Sequence, residues 1–517
     1  MENFKINVVD GIMGSGKSSA IINLIQMHKH DYPESHFLII VPYLTEINRY
    51  SKELPGFKSI VTDTLPKKVT LKKLLQNKKD IICTHSLFLQ NPDLINELAT
   101  DYILIVDEAL NSLISPTVFP NLLDSNNLKN DIVQEDNNFT ISDKAHTYTF
   151  TNWDIDNMIS NKFLIKSSTN ENLLTWNTSN ETTSIYSSLE DYFNQYDVYC
   201  FSSEENNSNY YVTLFPIKAF NIFKNIYVLT YIWDAQIMKA YFDFYGAQYN
   251  YLYPIPYITI SDESNKFVGK LGENSYYLMP SKRQYYNTES IILQKARLNI
   301  SIPSYKLDKY NLLVKDSDSR CALFNNIKPN LSYTFYTTKL TSDIGLDFLK
   351  TIKKNIKNLM ANNVPRNLLK DAKIIWTVYD CAKEDISKGC RYINLNNYIP
   401  INTKATNEYK DSNILIYLVN RYLNPCILNF ITKYCNSDFN MDLYSLSELI
   451  QWIWRSAIRD DKAICLYIPS SRMLNLFLEW INASSTDEFK NSILEKHKTS
   501  NISNNSKSNN SINQINI

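Results

Sequence analysis

Short runs of uninterrupted apolar residues, separated by polar or amphipathic stretches of helix length, set the rhythm of the first half of the chain. Val8-Val9 is followed by Ile21, Ile22, Leu24 and Ile25 at helical spacing, then by Phe37–Pro42 (FLIIVP), Asp80–Thr84 (DIICT) and Tyr102–Val106 (YILIV). Runs without alternation are what strands covered on both faces look like. A further strand, Ile226–Leu229, leads into Thr230. Strands alternating with helices predict an α/β fold with a mainly parallel sheet, whose ligands gather at the carboxyl ends of its strands.

The second half repeats the pattern with Ile374–Val378, Ile414–Leu418 and Ala463–Ile468. A helix is expected over Ser445–Ile458, opening on Ser445 with Glu448 three residues on, the spacing of a capping box. Between Val106 and Ile226 the chain is rich in Asn, Ser, Asp and Thr, which predicts an insertion at about 113–215, with a helix over Ser184–Asn194. The expected organisation is a first domain over 1–245 carrying that insertion, a linker or insertion domain over 246–371, a second domain over 372–500 and a disordered tail over 501–517. The linker segment should hold a strand at Tyr310–Lys315 and an amphipathic helix over 341–362.

Only 9 glycines occur in 517 residues, yet Gly11, Gly14 and Gly16 fall together. With Lys17 and Ser18 they complete G-x-x-x-x-G-K-[ST], placed between a strand and a helix as that pattern requires. Glycine lets the backbone N–H groups close on phosphate oxygens at a helix N-terminus, where the dipole favours an anion. Gly11, Met13, Gly14, Ser15, Gly16, Lys17, Ser18 and Ser19 are therefore the expected nucleotide cradle. Lys17 should reach the β- and γ-phosphates, and the Ser18 hydroxyl should ligate Mg²⁺. Asp107-Glu108 closes an apolar strand, which suits Asp107 to the metal and Glu108 to drawing a proton from the attacking water. ATP and Mg²⁺ are the cofactors this pair of motifs calls for.

Composition adds limits. Apolar content of 44% and charged content of 21% are ordinary for a globular chain, and no run of about 18 apolar residues predicts a membrane span. The start shows no basic region followed by an apolar run, so the expected location is the cytoplasm. Eight cysteines and six histidines show neither zinc nor disulfide spacing. Basic and acidic residues balance at 53 each, so nucleic acid must be held by a local surface; Lys67, Lys68, Lys72, Lys73, Lys78 and Lys79 form the densest cluster. The abundance of Asn, Ile, Lys and Tyr fits an AT-rich genome such as a phage's.

The order of further segments resembles the superfamily 2 helicases, most closely helicase-type ATPases of phages. Gln451-x-x-x-Arg455-x-x-x-Arg459 resembles their sixth motif, Val41–Glu46 (VPYLTE) the first nucleic-acid-contact motif, and Thr84-His85 the next. Asp107–Leu110 looks like the DEAD/DEAH box, Leu229-Thr230 like the third motif, and the stretch 402–409 (NTKATNEY) like the fifth. Leu110, Trp454 and Tyr231-Ile232 depart from the family pattern. The resemblance implies two RecA-like domains with ATP between them, Arg455 and Arg459 acting on the γ-phosphate and Gln451 sensing it. Tyr43, Thr45, Thr84, His85, Thr406 and Asn407 would line a path for single-stranded or duplex nucleic acid, DNA being favoured.

The function these expectations describe is an ATP-dependent helicase or translocase in phage DNA replication or recombination, with replication proteins docking on the insertions. A packaging or terminase-type motor, and a remodelling ATPase that separates no strands, are the alternatives.

Overall fold

The computed structural model describes residues 5–61, 65–116, 134–135, 138–142, 147–150, 152–168, 170–179, 189–202, 209–256, 276–280, 282–303, 331–401 and 408–496. The fold is α/β and is built on two largely parallel sheets.

The first sheet has eight strands, in the spatial order Tyr276–Met279, Gln248–Pro256, Lys5–Asp10, Asn225–Thr230, Ile103–Asp107, Phe37–Val41, Ile81–Thr84 and Lys58–Ser59. All neighbours run parallel except the outermost pair, Tyr276–Met279 against Gln248–Pro256. The central strands are apolar because helices cover both faces; every residue of Phe37–Val41 and Ile103–Asp107 is buried. Register then fixes the working edge. Asp10 lies beside Thr230 and Leu229 beside Asp107, so three strands deliver their last residues at one level. The Thr230 strand lies between the strand that feeds the glycine loop and the strand that ends in Asp107.

The insertion folds as an antiparallel sheet in the order Leu164–Lys166, Leu173–Trp176, Asp197–Ser202, Asn209–Leu214, Ile114–Pro116. Its own core gathers Ile155, Met158, Phe163, Leu174, Tyr192 and Val198. The helix expected over Ser184–Asn194 is observed as Glu190–Gln195, its earlier part lying mostly outside the described residues. One face of this sheet packs on the second half of the chain, where Phe201 stacks on Tyr434 of the helix Pro425–Tyr434 with ring centres 4.0 Å apart.

The second sheet is parallel throughout, in the order Ile300–Ser301, Ile464–Tyr467, Ile414–Tyr417, Ile374–Thr377. Its four-residue runs are buried over most of their length, and Trp376, Trp452 and Trp480 are wholly enclosed around it.

The segment 246–371, expected as a separate unit, is divided between the two sheets. Gln248–Pro256 and Tyr276–Met279 widen the first, while Ile300–Ser301 extends the second. The helix Asp343–Asn358, capped by the Ser342 side chain and prolonged by one wide turn through Asn363, packs into the core of the second sheet. Nine-residue Gln248–Pro256 mixes polar and aromatic positions, which hid it among loop signals. Tyr310–Lys315 and the tail 501–517 lie outside the described residues. No described helix is long and apolar enough to cross a membrane.

The expected helix Ser445–Ile458 begins and ends earlier. It spans Met441–Ile453, and Asn440 caps it by accepting from the amides of Asp442 and Leu443. Ser445 is interior and buried, its hydroxyl donating to the carbonyls of Met441 and Arg421. Asn440 competes better for the cap because its side chain reaches the first free amides, whereas Ser445 already sits one turn into an apolar face.

Candidate functional site

The loop after Asp10 turns back on itself. The Gly11 amide donates to the Thr230 carbonyl at 3.1 Å, tying the loop to the neighbouring strand, and the Ser15 amide donates to the Ile12 carbonyl at 3.2 Å. Gly14 and Gly16 adopt φ of +81° and +87°, conformations that favour glycine. A Cβ on Gly16 would also collide with the Tyr276 ring, whereas one on Gly14 would meet nothing, so Gly14 faces open space. Gly16 then opens the helix Lys17–Asp31, leaving its first amides for an anion. Met13 packs against the second sheet's core, and the buried Ser15 hydroxyl has no partner among the described residues.

Lys17 lies over this loop with its ammonium donating to the carbonyls of Gly11 at 2.5 Å and Ile12 at 3.1 Å. Burial pushes its pKa down to about 8, against the pull of Asp10, Asp107 and Glu108 and with the help of Arg459.

Asp107 and Glu108 sit at the end of the next strand but one, beyond the Thr230 strand. Asp107 accepts from the Arg49 guanidinium at 2.9 Å and from the Tyr50 hydroxyl at 3.0 Å, both on the same oxygen. Arg49 also pairs with Glu46 at 2.9 Å, and the Ser18 hydroxyl is in hydrogen-bonding reach of Tyr50. Glu46 is buried, which raises its pKa against the opposing charge of Arg49. Glu108 takes φ of +67°, a left-handed conformation that costs a non-glycine residue about 1–3 kcal/mol. A second such residue, Ile232 at φ +55°, follows the Thr230 strand.

The second sheet supplies the other wall. Beyond Ile453 the chain leaves the helix: Trp454 caps it, and Ala457–Asp460 forms a short 3-10 turn. Arg455 and Arg459 therefore do not share a helical face. Arg455 is 5% exposed, and its Nε and Nη1 have no hydrogen-bond partner among the described residues. Burial lowers its pKa below the ordinary guanidinium value, and Glu108 of the first sheet is the charge that acts on it most strongly. Arg459 is exposed, close enough to affect both Lys17 and Glu46.

Gln451, expected to sense a γ-phosphate, donates instead to the Ser447 hydroxyl at 3.2 Å. Ser447 in turn accepts from Gln236 at 3.0 Å, and Gln236 also donates to the Tyr231 and Ile232 carbonyls. A buried polar chain thus runs from the Met441–Ile453 helix to the loop after Thr230. A second link joins Asn111, three residues beyond Glu108, to Glu448 at 3.3 Å; Glu448 also pairs with Arg421 at 3.4 Å. Glu448, expected as half of a capping box, is instead a bridge between the sheets.

Of the residues expected on a nucleic-acid path, Tyr43 and Thr45 are exposed at the entry to the helix Leu44–Glu53. Thr84 accepts from the Leu87 amide as a helix cap, and His85 bonds the Asp107 carbonyl at 2.9 Å. His85 serves the acidic strand end and Thr84 the short helix His85–Leu89, because the chain enters that helix at His85. Thr406 and Asn407 lie outside the described residues. Lys67, Lys68, Lys72 and Lys73 are exposed on the helix Lys67–Gln76, with Lys78 and Lys79 just beyond it.

Arg49 and Tyr50 carry no motif and Glu46 only ends one, yet they gather around Asp107. One signal was available: on an amphipathic helix, polar residues at positions 46, 49, 50 and 53 share one face, and a charged face turned inward demands a partner.

Residues 289–481 match the family described as the YonV C-terminal Rossmann-like domain. The match begins in the helix Lys282–Asn299, ends in the helix Ser471–Asn482, and takes in the whole second sheet. Over 492 residues the chain is 28% identical to the SPbeta prophage-derived uncharacterized protein YonV of Bacillus subtilis (strain 168), covering 92% of this chain and 98% of that one. Two solved structures also align over most of the chain. XPD_APO does so with a TM-score of 0.37, 12% identity and coverage of 93% and 95%. XPD_Helicase does so with a TM-score of 0.32, 11% identity and coverage of 92% and 95%.

Proposed function

We propose that the chain is an ATPase whose nucleotide site is shared between the two sheets, and that it couples hydrolysis to movement on nucleic acid as a superfamily 2 type helicase or translocase. The observation that carries this reading is Arg455. A guanidinium buried from the second sheet, with two nitrogens unpartnered and Glu108 as its main opposing charge, is costly unless an anion completes it. The residues present suit MgATP: an open Gly14, amides at a helix start, a lysine over the loop, and Ser18 with Asp107 for the metal.

When bound, MgATP would supply the phosphoanhydride whose hydrolysis drives the cycle. In this reading Lys17 leaves the Gly11 and Ile12 carbonyls to hold phosphate oxygens. Ser18 and Asp107 hold the cation. Glu108 takes a proton from the attacking water, and Arg455 neutralises charge on the transferred group, an effect worth about 10³–10⁵ in rate. Arg459 adds positive potential from the rim. The Gln451–Ser447–Gln236 chain supports coupling, because any rotation of the Met441–Ile453 helix must pull on the loop after Thr230.

Exposed Tyr43 and Thr45 support a strand path over the carboxyl edge of the first sheet. The resemblance of the chain to a prophage protein favours phage DNA as the polymer and phage replication or recombination as the setting. The test is steady-state ATP hydrolysis with and without single-stranded DNA or RNA, beside Lys17→Ala. Stimulation that Lys17→Ala abolishes supports a nucleic-acid motor. Hydrolysis indifferent to both polymers moves the reading to a remodelling or packaging ATPase, with the antiparallel insertion as the place for its partner.

A further inference from the structure

The metal side of the site already holds a cation of the protein's own. Arg49 and Tyr50 converge on one oxygen of Asp107 at 2.9 and 3.0 Å, and Tyr50 also reaches the Ser18 hydroxyl. The two residues expected to share a divalent ion are thus bridged by one helix, Leu44–Glu53. With Arg49 and Tyr50 both donating to it, that oxygen has no free lone pair, so a metal ion that takes it displaces one of them, and Arg49 is the one whose charge the ion replaces.

The guanidinium has somewhere to go. It lines a cavity of about 110 Å³ with Ser18, Ser19, Asn23, Gln26 and Glu53. Glu53 is one turn further along the same helix, the i,i+4 spacing that suits an ion pair, and it is exposed. Lys29 and Lys239, by contrast, are already paired with Asp80 and Asp243.

We propose that Arg49 is a displaceable internal counter-ion of the metal site: it neutralises Asp107 while no cation is bound, and moves along its helix to Glu53 when Mg²⁺ takes Asp107. This rests on reading the glycine loop as a nucleotide site. Arg49 would then set the Mg²⁺ concentration at which nucleotide is held in its metal-bound form, because the ion must compete with a guanidinium already in place. Glu53 would lower that threshold by receiving the displaced side chain.

The experiment is a titration of free Mg²⁺ against binding of a fluorescent ADP analogue, with no turnover involved. Arg49→Met should lower the half-saturating Mg²⁺ at least fivefold. Arg49→Lys, which keeps the charge but loses the planar fork, should fall between it and the wild-type protein. Glu53→Gln, at an exposed position where folding is not at stake, should raise it about twofold. Asp107→Asn should remove the Mg²⁺ dependence while leaving metal-free binding. An unchanged Mg²⁺ midpoint in both Arg49 variants, with Asp107→Asn behaving as stated, overturns the counter-ion role. Failure of the wild-type protein to bind the analogue, or equal binding by Lys17→Ala, overturns the nucleotide reading and this inference with it.

Discussion

The two sheets reach their junction by different means. The first presents Asp10, Thr230 and Asp107 from strand ends locked in register, so neighbouring strands alone set their mutual positions. The second presents Arg455 and Arg459 from the place where a helix stops, and two residues of similar spacing end up with opposite fates, one buried and one exposed. Placement by register is rigid and local. Placement by a helix terminus depends on where the cap falls, so one residue's shift redirects every side chain beyond it.

That contrast ranks the expected effects of substitution. Lys17→Ala, on the rigid side, should abolish both nucleotide binding and turnover, as equilibrium binding of a fluorescent ATP analogue and phosphate release would show. Glu108→Gln should leave binding in place and slow hydrolysis by about 10²–10⁴, the range for losing a general base. Binding lost together with turnover would mean that Glu108 positions the loop. Arg459→Ala should cost only about tenfold in turnover, and the loss should fade with added salt, because an exposed charge acts through screened solvent. A salt-independent loss would place Arg459 against the phosphates. Ser447→Ala removes the two hydrogen bonds that Gln451 and Gln236 donate to its hydroxyl, each worth about 0.5–1.5 kcal/mol. It should reduce DNA-stimulated hydrolysis by roughly two- to tenfold while sparing the unstimulated rate. Equal loss of both would assign the Gln451–Ser447–Gln236 chain to folding rather than to coupling.

The same contrast explains what the sequence revealed. The glycine loop and the acidic strand end were legible because each is a short segment whose chemistry and conformation are set by its own residues: positive φ at Gly14 and Gly16, and an apolar run ending in two carboxylates. The parallel sheets were legible for the same reason. The start of the Met441–Ile453 helix was misjudged because two capping residues, Asn440 and Ser445, lie within a turn and a half of each other, and burial against Arg421 chose between them. Gln451 keeps the family spacing but bonds Ser447, which is held in turn by Gln236 from far along the chain, and His85 keeps its place but bonds the carbonyl of Asp107 on another strand. Arg49 and Tyr50 escaped notice because their role arises only when the Leu44–Glu53 helix is laid against the acidic strand. The split of 246–371 between the sheets was hidden because Gln248–Pro256 is an edge-side strand with polar and aromatic positions, unlike the apolar runs at the centre.

The central claim is that one nucleotide site is completed by an arginine from the second sheet. Single-turnover ATP hydrolysis by Arg455→Ala, measured beside binding of the same nucleotide, addresses it most directly. The account expects binding within about threefold of the wild-type protein and cleavage slower by about 10³ or more, since the missing charge matters mainly in the transition state. Cleavage at the wild-type rate would contradict it, and would leave the first sheet as a nucleotide site on its own, with the second sheet packed against it for another purpose.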